Sequence, residues 1–124
     1  MLHKLLVATA MLSVASPAYA REWWVINNDT GQCLTTEAEA QESGFWGGLT
    51  PAAALNSLRV HGDTVYPQAE RDDSGNITMI ALQDYPANGA AASVMYFFTS
   101  EAYCEVMLSI KKKDGTIVDP NDMN

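Results

Sequence analysis

Histidine is nearly missing from this chain: among 124 residues there are two, His3 and His61. Nucleophilic catalysis by serine needs a base and an acid that orients it. His61 is the one histidine beyond residue 20, and it stands at the end of a helical pattern, where a favourable contact with the helix dipole already accounts for it. Cysteine is equally scarce. Cys33 and Cys104 are the two present, with no Cys-x-x-Cys pair, so neither a zinc site nor a reactive dithiol is expected and the cofactor and metal expectations are both none. Cations are few as well: seven Lys and Arg face fifteen Asp and Glu, for a net charge of −8. Phosphate contacts need clustered Lys and Arg, and the cluster present, Lys111 to Lys113, reads as a helix C-terminus, so a nucleic-acid partner is excluded. No internal repeat and no low-complexity segment is visible.

Long apolar runs are absent apart from one, Leu5 to Val14. With the short polar front His3-Lys4 and the small residues of Ala18-Tyr19-Ala20, it reads as a signal peptide over residues 1–20 that is removed on export. The run is short for a membrane span and no second one follows, so no transmembrane segment is expected after cleavage. No cysteine follows Ala20 to carry a lipid anchor. Residues 21–118 then form a single small domain, with a polar, frayed tail at 119–124. Over residues 21–124, six Lys and Arg against fifteen Asp and Glu give a net charge of −9, and the expected location is periplasmic or secreted. An even number of cysteines in an exported chain predicts a Cys33–Cys104 disulfide.

The remaining pattern is clear in places. Glu22 to Asn27 reads as a strand, stopped by the turn Asn28-Asp29-Thr30-Gly31. The adjacent Trp23 and Trp24 point to opposite faces of that strand, so one of them suffices for the core. Thr50-Pro51 starts a helix, with proline at its first position, and Gly62 ends it; Ala54, Leu55 and Leu58 form its buried stripe. Asp63 to Arg71 and Asn76 to Tyr85 read as a hairpin across Asp72-Asp73-Ser74-Gly75. Pro67, which cannot donate to a ladder, pushes the first of these strands to an edge or a bulge. Calcium is a poor reading of the acidic turn, because placing Asp72, Ser74 and Asn76 in the first three ligand positions puts Ile77 where the calcium loop requires glycine.

After the turn Pro86-Ala87-Asn88-Gly89 comes an aromatic strand, Ala91 to Phe98, with Val94, Tyr96 and Phe98 on one face and Met95 and Phe97 on the other. Thr99 or Ser100 caps a final helix that ends at Lys111 to Lys113 and docks through Tyr103, Cys104, Met107, Leu108 and Ile110. One apolar cluster is expected to join Trp23 or Trp24, Leu55, Leu58, Met79 or Ile80, Phe97 or Phe98, Met107 and Leu108. The predicted fold is α+β and two-layered: a mostly antiparallel four-stranded sheet with two main helices on one face, in the order β-α-β-β-β-α, stapled by one disulfide. Thr36 and Glu39 make a capping box for an optional short helix ended by Gly44. Taken together, Trp23-Trp24, Cys33, Thr50-Pro51, Phe97-Phe98 and Cys104, in that order, resemble small exported proteobacterial proteins that have no assigned activity. The resemblance implies no catalytic residue.

Function is expected to be non-enzymatic: a binding or protein-interaction module for an envelope or extracellular protein or ligand. The route from Cys33 to Leu49 is longer than a strand-to-helix link requires, and long loops carry function more often than short ones. It places Phe45-Trp46 between Gly44 and Gly47-Gly48. Phe45, Trp46 and Trp23 are therefore the candidate contact residues, with the edge near Pro67 as a further surface. The alternative is a small hydrolase-like envelope enzyme using His61 with a nearby carboxylate such as Asp63. Paired carboxylates for glycoside hydrolysis fit a domain of this size poorly, since it leaves little room for a substrate cleft.

Overall fold

The computed structural model of the chain describes residues 21–43 and 49–113. Phe45 and Trp46, the signal segment and the polar tail lie outside the described residues. The elements are β1 (Trp24–Asn27), β2 (Gln32–Thr35), α1 (Thr36–Ser43), α2 (Pro51–Val60), β3 (Thr64–Arg71), β4 (Ile77–Tyr85), β5 (Ser93–Phe98) and α3 (Glu101–Lys113). The fold is α+β with one antiparallel five-stranded sheet in the order β2-β1-β5-β4-β3. Among the described residues, the expected four strands and two main helices thus become five strands and three helices. The additional strand is β2, which returns from the Asn28–Gly31 turn to pair with β1. Gly31 makes that turn with φ of 69°, its N–H donating to the Asn27 carbonyl at 2.8 Å.

The helix ends follow local chemistry. Thr50 caps α2 by accepting from Ala53 N–H at 3.1 Å, with Pro51 behind it. At the other end Gly62, with φ of 103°, turns the chain out of the helix. Its N–H donates to Arg59 O while Asp63 N–H reaches Leu58 O, both at 3.0 Å, the paired bonds of a Schellman stop. Ser100, not Thr99, caps α3, accepting from Tyr103 N–H at 3.1 Å; Thr99 instead donates to the carbonyls of Ile77 and Thr78. The capping box at Thr36 is not formed. Thr35 accepts from Ala38 N–H at 3.2 Å, Thr36 donates to Leu49 O at 2.8 Å, and Glu39 accepts from the Asn27 amide at 2.8 Å. A second acceptor one residue earlier took over the cap, which freed Glu39 to reach β1.

The largest departure concerns layers. Successive strand residues face opposite sides of a sheet, and here both sides are covered. Trp23, Val25, Leu82 and Phe97 pack with Ala54 and Leu58 of α2. Their neighbours Phe98, Ala81 and Met79 pack with Cys33 and with Cys104 and Leu108 of α3. The helices therefore lie on opposite faces rather than sharing one, and the single expected cluster is two. A bulge in β4 helps: Arg71 pairs with Ile77 and Glu70 with Met79, so Thr78 is skipped and Ile77 joins Ile80 on the α2 side. Ile110 is about half exposed, so the docking stripe of α3 is narrower than its helical spacing suggests.

The disulfide joins Cys33 on β2 to Cys104 on α3, with Cα atoms 6.1 Å apart. It ties the first hairpin to the last helix, which otherwise meet the rest through the short β1–β5 ladder. The disulfide is the kind of bond that persists in an oxidising compartment. Among the described residues no helix is long and apolar enough to cross a membrane.

Candidate functional site

Strands β1 and β5 share one register pair, Trp24 with Phe98. Beyond it they part, and the space between them is a cleft of about 370 Å³ lined by Val25, Ile26, Val94, Met95, Tyr96 and Phe98, with polar side chains at its rim. Ladder parity fixes where the backbone groups point. Thr36 N–H donates to Trp23 O, so in the β1–β2 ladder Val25 and Asn27 turn their N–H and C=O towards β2 and Ile26 turns its own away. Thr99 N–H donates to Thr78 O, so Met95 and Phe97 face β4, and Val94 and Tyr96 turn their N–H and C=O towards β1. Ile26, Val94 and Tyr96 thus direct their backbone groups into the cleft, where a continued ladder would have placed a partner.

Rim chemistry is asymmetric. On one lip Asn27 is buried and fully engaged, its Oδ1 accepting from Asp29 and Thr30 N–H at 2.9 and 3.0 Å and its amide donating to Glu39. Asp29 and Glu39 make that lip acidic. Across from them Lys111 of α3 lies 5.2 Å above the Tyr96 ring, a cation–π distance.

The other surfaces singled out in the sequence fare differently. Trp23 is a core residue, 9 % exposed, meeting the Phe97 ring edge-on at 6.4 Å, with Arg21 over its outer face. Trp24 is the half-buried one of the two. The β3 edge is blunted. Pro67 falls opposite Leu82, where a residue of β3 points its N–H outward, and the Arg59 guanidinium occupies the neighbouring Val65 carbonyl at 3.0 Å. The acidic turn is a closed hairpin: Asp72 Oδ1 accepts from Ser74 and Asn76 N–H, both at 2.9 Å, so its carboxylate is used by backbone.

His61 does approach Asp63, with Nδ1 3.7 Å from Oδ1, but its side chain is 76 % exposed. Asp63 is committed elsewhere, accepting from Ala87 N–H at 2.9 Å and so holding the turn after β4 against the end of α2. The same cavity, about 410 Å³, is lined by Ser57, Leu58, His61, Asp63 and Asp84. Burial, and then the hydrogen bond to Asp63, push the Asp84 carboxyl above the ordinary aspartate value. The backbone bond from Ala87 holds Asp63 below it. Of the two, Asp84 is therefore the more readily protonated and Asp63 the more readily ionised. No cluster of three or more metal-ligating side chains occurs among the described residues.

The two shifts have opposite signs for stability. Asp84, raised, favours the folded state below the ordinary value, and that contribution is lost as pH rises through its folded value; Asp63, lowered, contributes above the ordinary value and loses its share as pH falls through its own. Asn at 84 keeps a donor for Asp63 and never ionises. Asp84→Asn is therefore expected to remove the Asp84 contribution alone, so that the urea midpoint falls less, or rises more, from pH 4 to pH 7 than it does in the native chain. Parallel midpoint shifts in the two proteins would refute this assignment.

The cleft was missed in the sequence because β1 and β5 are neighbours only in space. One signal was available: Ala91-Ala92, read as the start of the last strand, has little to pack, and β5 begins at Ser93. Asp84 had a clearer one, a carboxylate in phase with Ile80 and Leu82 on the apolar side of β4. No family model matches the chain, and no curated protein or solved structure is significantly similar to it.

Proposed function

We propose that the chain is an exported, non-enzymatic binding module that takes an extended segment of a partner protein into the cleft between β1 and β5. The observation that carries this reading is the pair of diverging strands whose Ile26, Val94 and Tyr96 backbone groups point into an apolar-floored cleft. Strand addition supplies affinity through main-chain hydrogen bonds and specificity through alternate side chains. The segment that fits has apolar side chains over Val94 and Met95 and a basic residue towards Asp29. The periplasm or extracellular space is the setting in which the stapled domain would meet it.

Proline at position 94 tests this without disturbing the other ladder. Val94 N–H faces the cleft, not β4, so Val94→Pro removes a donor that the fold does not use. A peptide selected by display on the oxidised native domain is expected to perturb the amides of Ile26, Val94 and Tyr96 in NMR spectra. Val94→Pro is expected to bind it about tenfold more weakly, the size of one net hydrogen bond. Perturbations confined to other surfaces, or unchanged affinity in a folded Val94→Pro domain, would overturn the proposal.

A second reading, the small hydrolase using His61 with Asp63, is favoured by one observation, their 3.7 Å approach in a shared cavity. Hydrolysis of model esters or peptides that disappears in His61→Gln would establish it; activity unaffected by that change would remove it.

A further inference from the structure

The cavity beside the end of α2 has features that the peptide cleft does not explain. Its lining includes Asp84, 9 % exposed, whose Oδ1 is buried and has no hydrogen-bond partner. A buried acceptor left unmatched is costly, and this one lines a cavity with room for a small ligand. Asp63 stands beside it, with its Oδ1 already accepting from Ala87 N–H. The charged and titratable groups facing the space are His61 from the end of α2, Asp63 from the following turn and Asp84 from β4; Ser93 of β5 pairs with Asp84 in the ladder, and Ala87 of the turn after β4 donates its N–H to Asp63. Arg59, the nearest arginine along α2, is turned to the Val65 carbonyl. The described lining thus holds two carboxyls and no lysine or arginine.

We infer that this cavity is a binding site for a guanidinium group, with Asp84 as its buried acceptor and Asp63 as the second. A guanidinium presents several N–H donors in a plane and is less strongly hydrated than an ammonium ion, which suits a partly dry pair of carboxylates. A divalent metal suits it less, because calcium takes six to eight oxygen ligands and two carboxyls with a histidine cannot approach that set. Both carboxylates accept from the guanidinium, and where Asp84 is protonated in the free domain that proton leaves to solvent on binding. Binding is therefore coupled to proton release and strengthens as pH rises. Arginine, free or at an exposed position in a peptide, is the natural source of the group. The site is independent of the β1–β5 cleft, so each stands or falls alone.

The test is titration of the oxidised native domain with methylguanidinium, followed by NMR amide shifts and by calorimetry in two buffers of different ionisation enthalpy. Expected are shifts centred on Leu58, Asp63 and Asp84, release of a proton, and at least about tenfold weaker binding in Asp84→Asn, matching the loss of a charge-assisted hydrogen bond. Ser57→Phe, a change at an exposed helix position at the cavity mouth, is expected to weaken binding without altering the fold, which guards against a folding defect in the buried variant. Tetramethylammonium, with no donor, is expected to leave these amides unmoved. Comparison of free arginine with an arginine-containing peptide separates the two sources. Equal binding by folded Asp84→Asn, stronger competition by calcium at the same amides, or no shift at pH 8 would each overturn the inference.

Discussion

Reduction of the Cys33–Cys104 bond is expected to lower the unfolding free energy of the domain by about 4 kcal/mol. That figure is the chain-entropy value for closing a loop of roughly 72 residues. Because a domain of this size has a total stability of about 5 to 15 kcal/mol, one bond carries at least about a quarter of its margin. The geometry makes the dependence specific. Cys104 is fully buried beneath α3, and Cys33 lies on β2 at the sheet's far edge, so the bond spans the first hairpin and the last helix. Urea titrations with and without reductant measure the effect. A midpoint insensitive to reductant, with thiols confirmed free, would show that hairpin and helix hold together without the bond.

Phe97→Ala is expected to cost about 3 to 5 kcal/mol, the range for truncating a buried phenylalanine. Phe97 is fully buried at the centre of the cluster that joins Trp23 and Val25 to Leu82 and to Ala54 and Leu58 of α2. The truncation removes the edge-to-face contact with Trp23 and leaves a void that a paired central strand cannot close. Leu58→Ala empties the same cluster from the helix side and belongs in the range of about 2 to 5 kcal/mol. The two losses are not expected to add, because both residues border one space. A Phe97→Ala domain with a native urea midpoint would mean that α2 does not depend on this face of the sheet.

Much of this arrangement could be read along the chain because punctuation and packing agreed. Thr50-Pro51 and Gly62 bracket α2, Ser100 and the three lysines bracket α3, and the run Val94 to Phe98 has apolar residues in both phases, as a strand covered on both sides must. The turn at Asp72 to Gly75 and the outward placement of Pro67 followed from the same rules. Strand β2 was hidden for a physical reason: Gln32-Cys33-Leu34-Thr35 is four residues long and becomes a strand only by pairing with β1. The side of the sheet that each helix takes is also set by tertiary contact, since the same apolar stripe can dock on either face. The acidic cavity was half visible. His61 and Asp63 stood out by proximity in sequence, whereas Asp84 acquires its role from being opposite Val65 and beneath α2.

The single Trp24–Phe98 pair between β1 and β5 bears on how the chain reaches its final state. Strands β1 and β2 emerge first from any vectorial process, yet the strand that receives them lies some seventy residues later, a long-range closure that is entropically slow. The disulfide joins the same distant regions. Wherever thiols are kept reduced, the first hairpin is attached through one ladder pair and packing alone, and the chain stays easier to unthread. Oxidation then works as a latch, converting a loosely appended hairpin into a permanent part of the sheet.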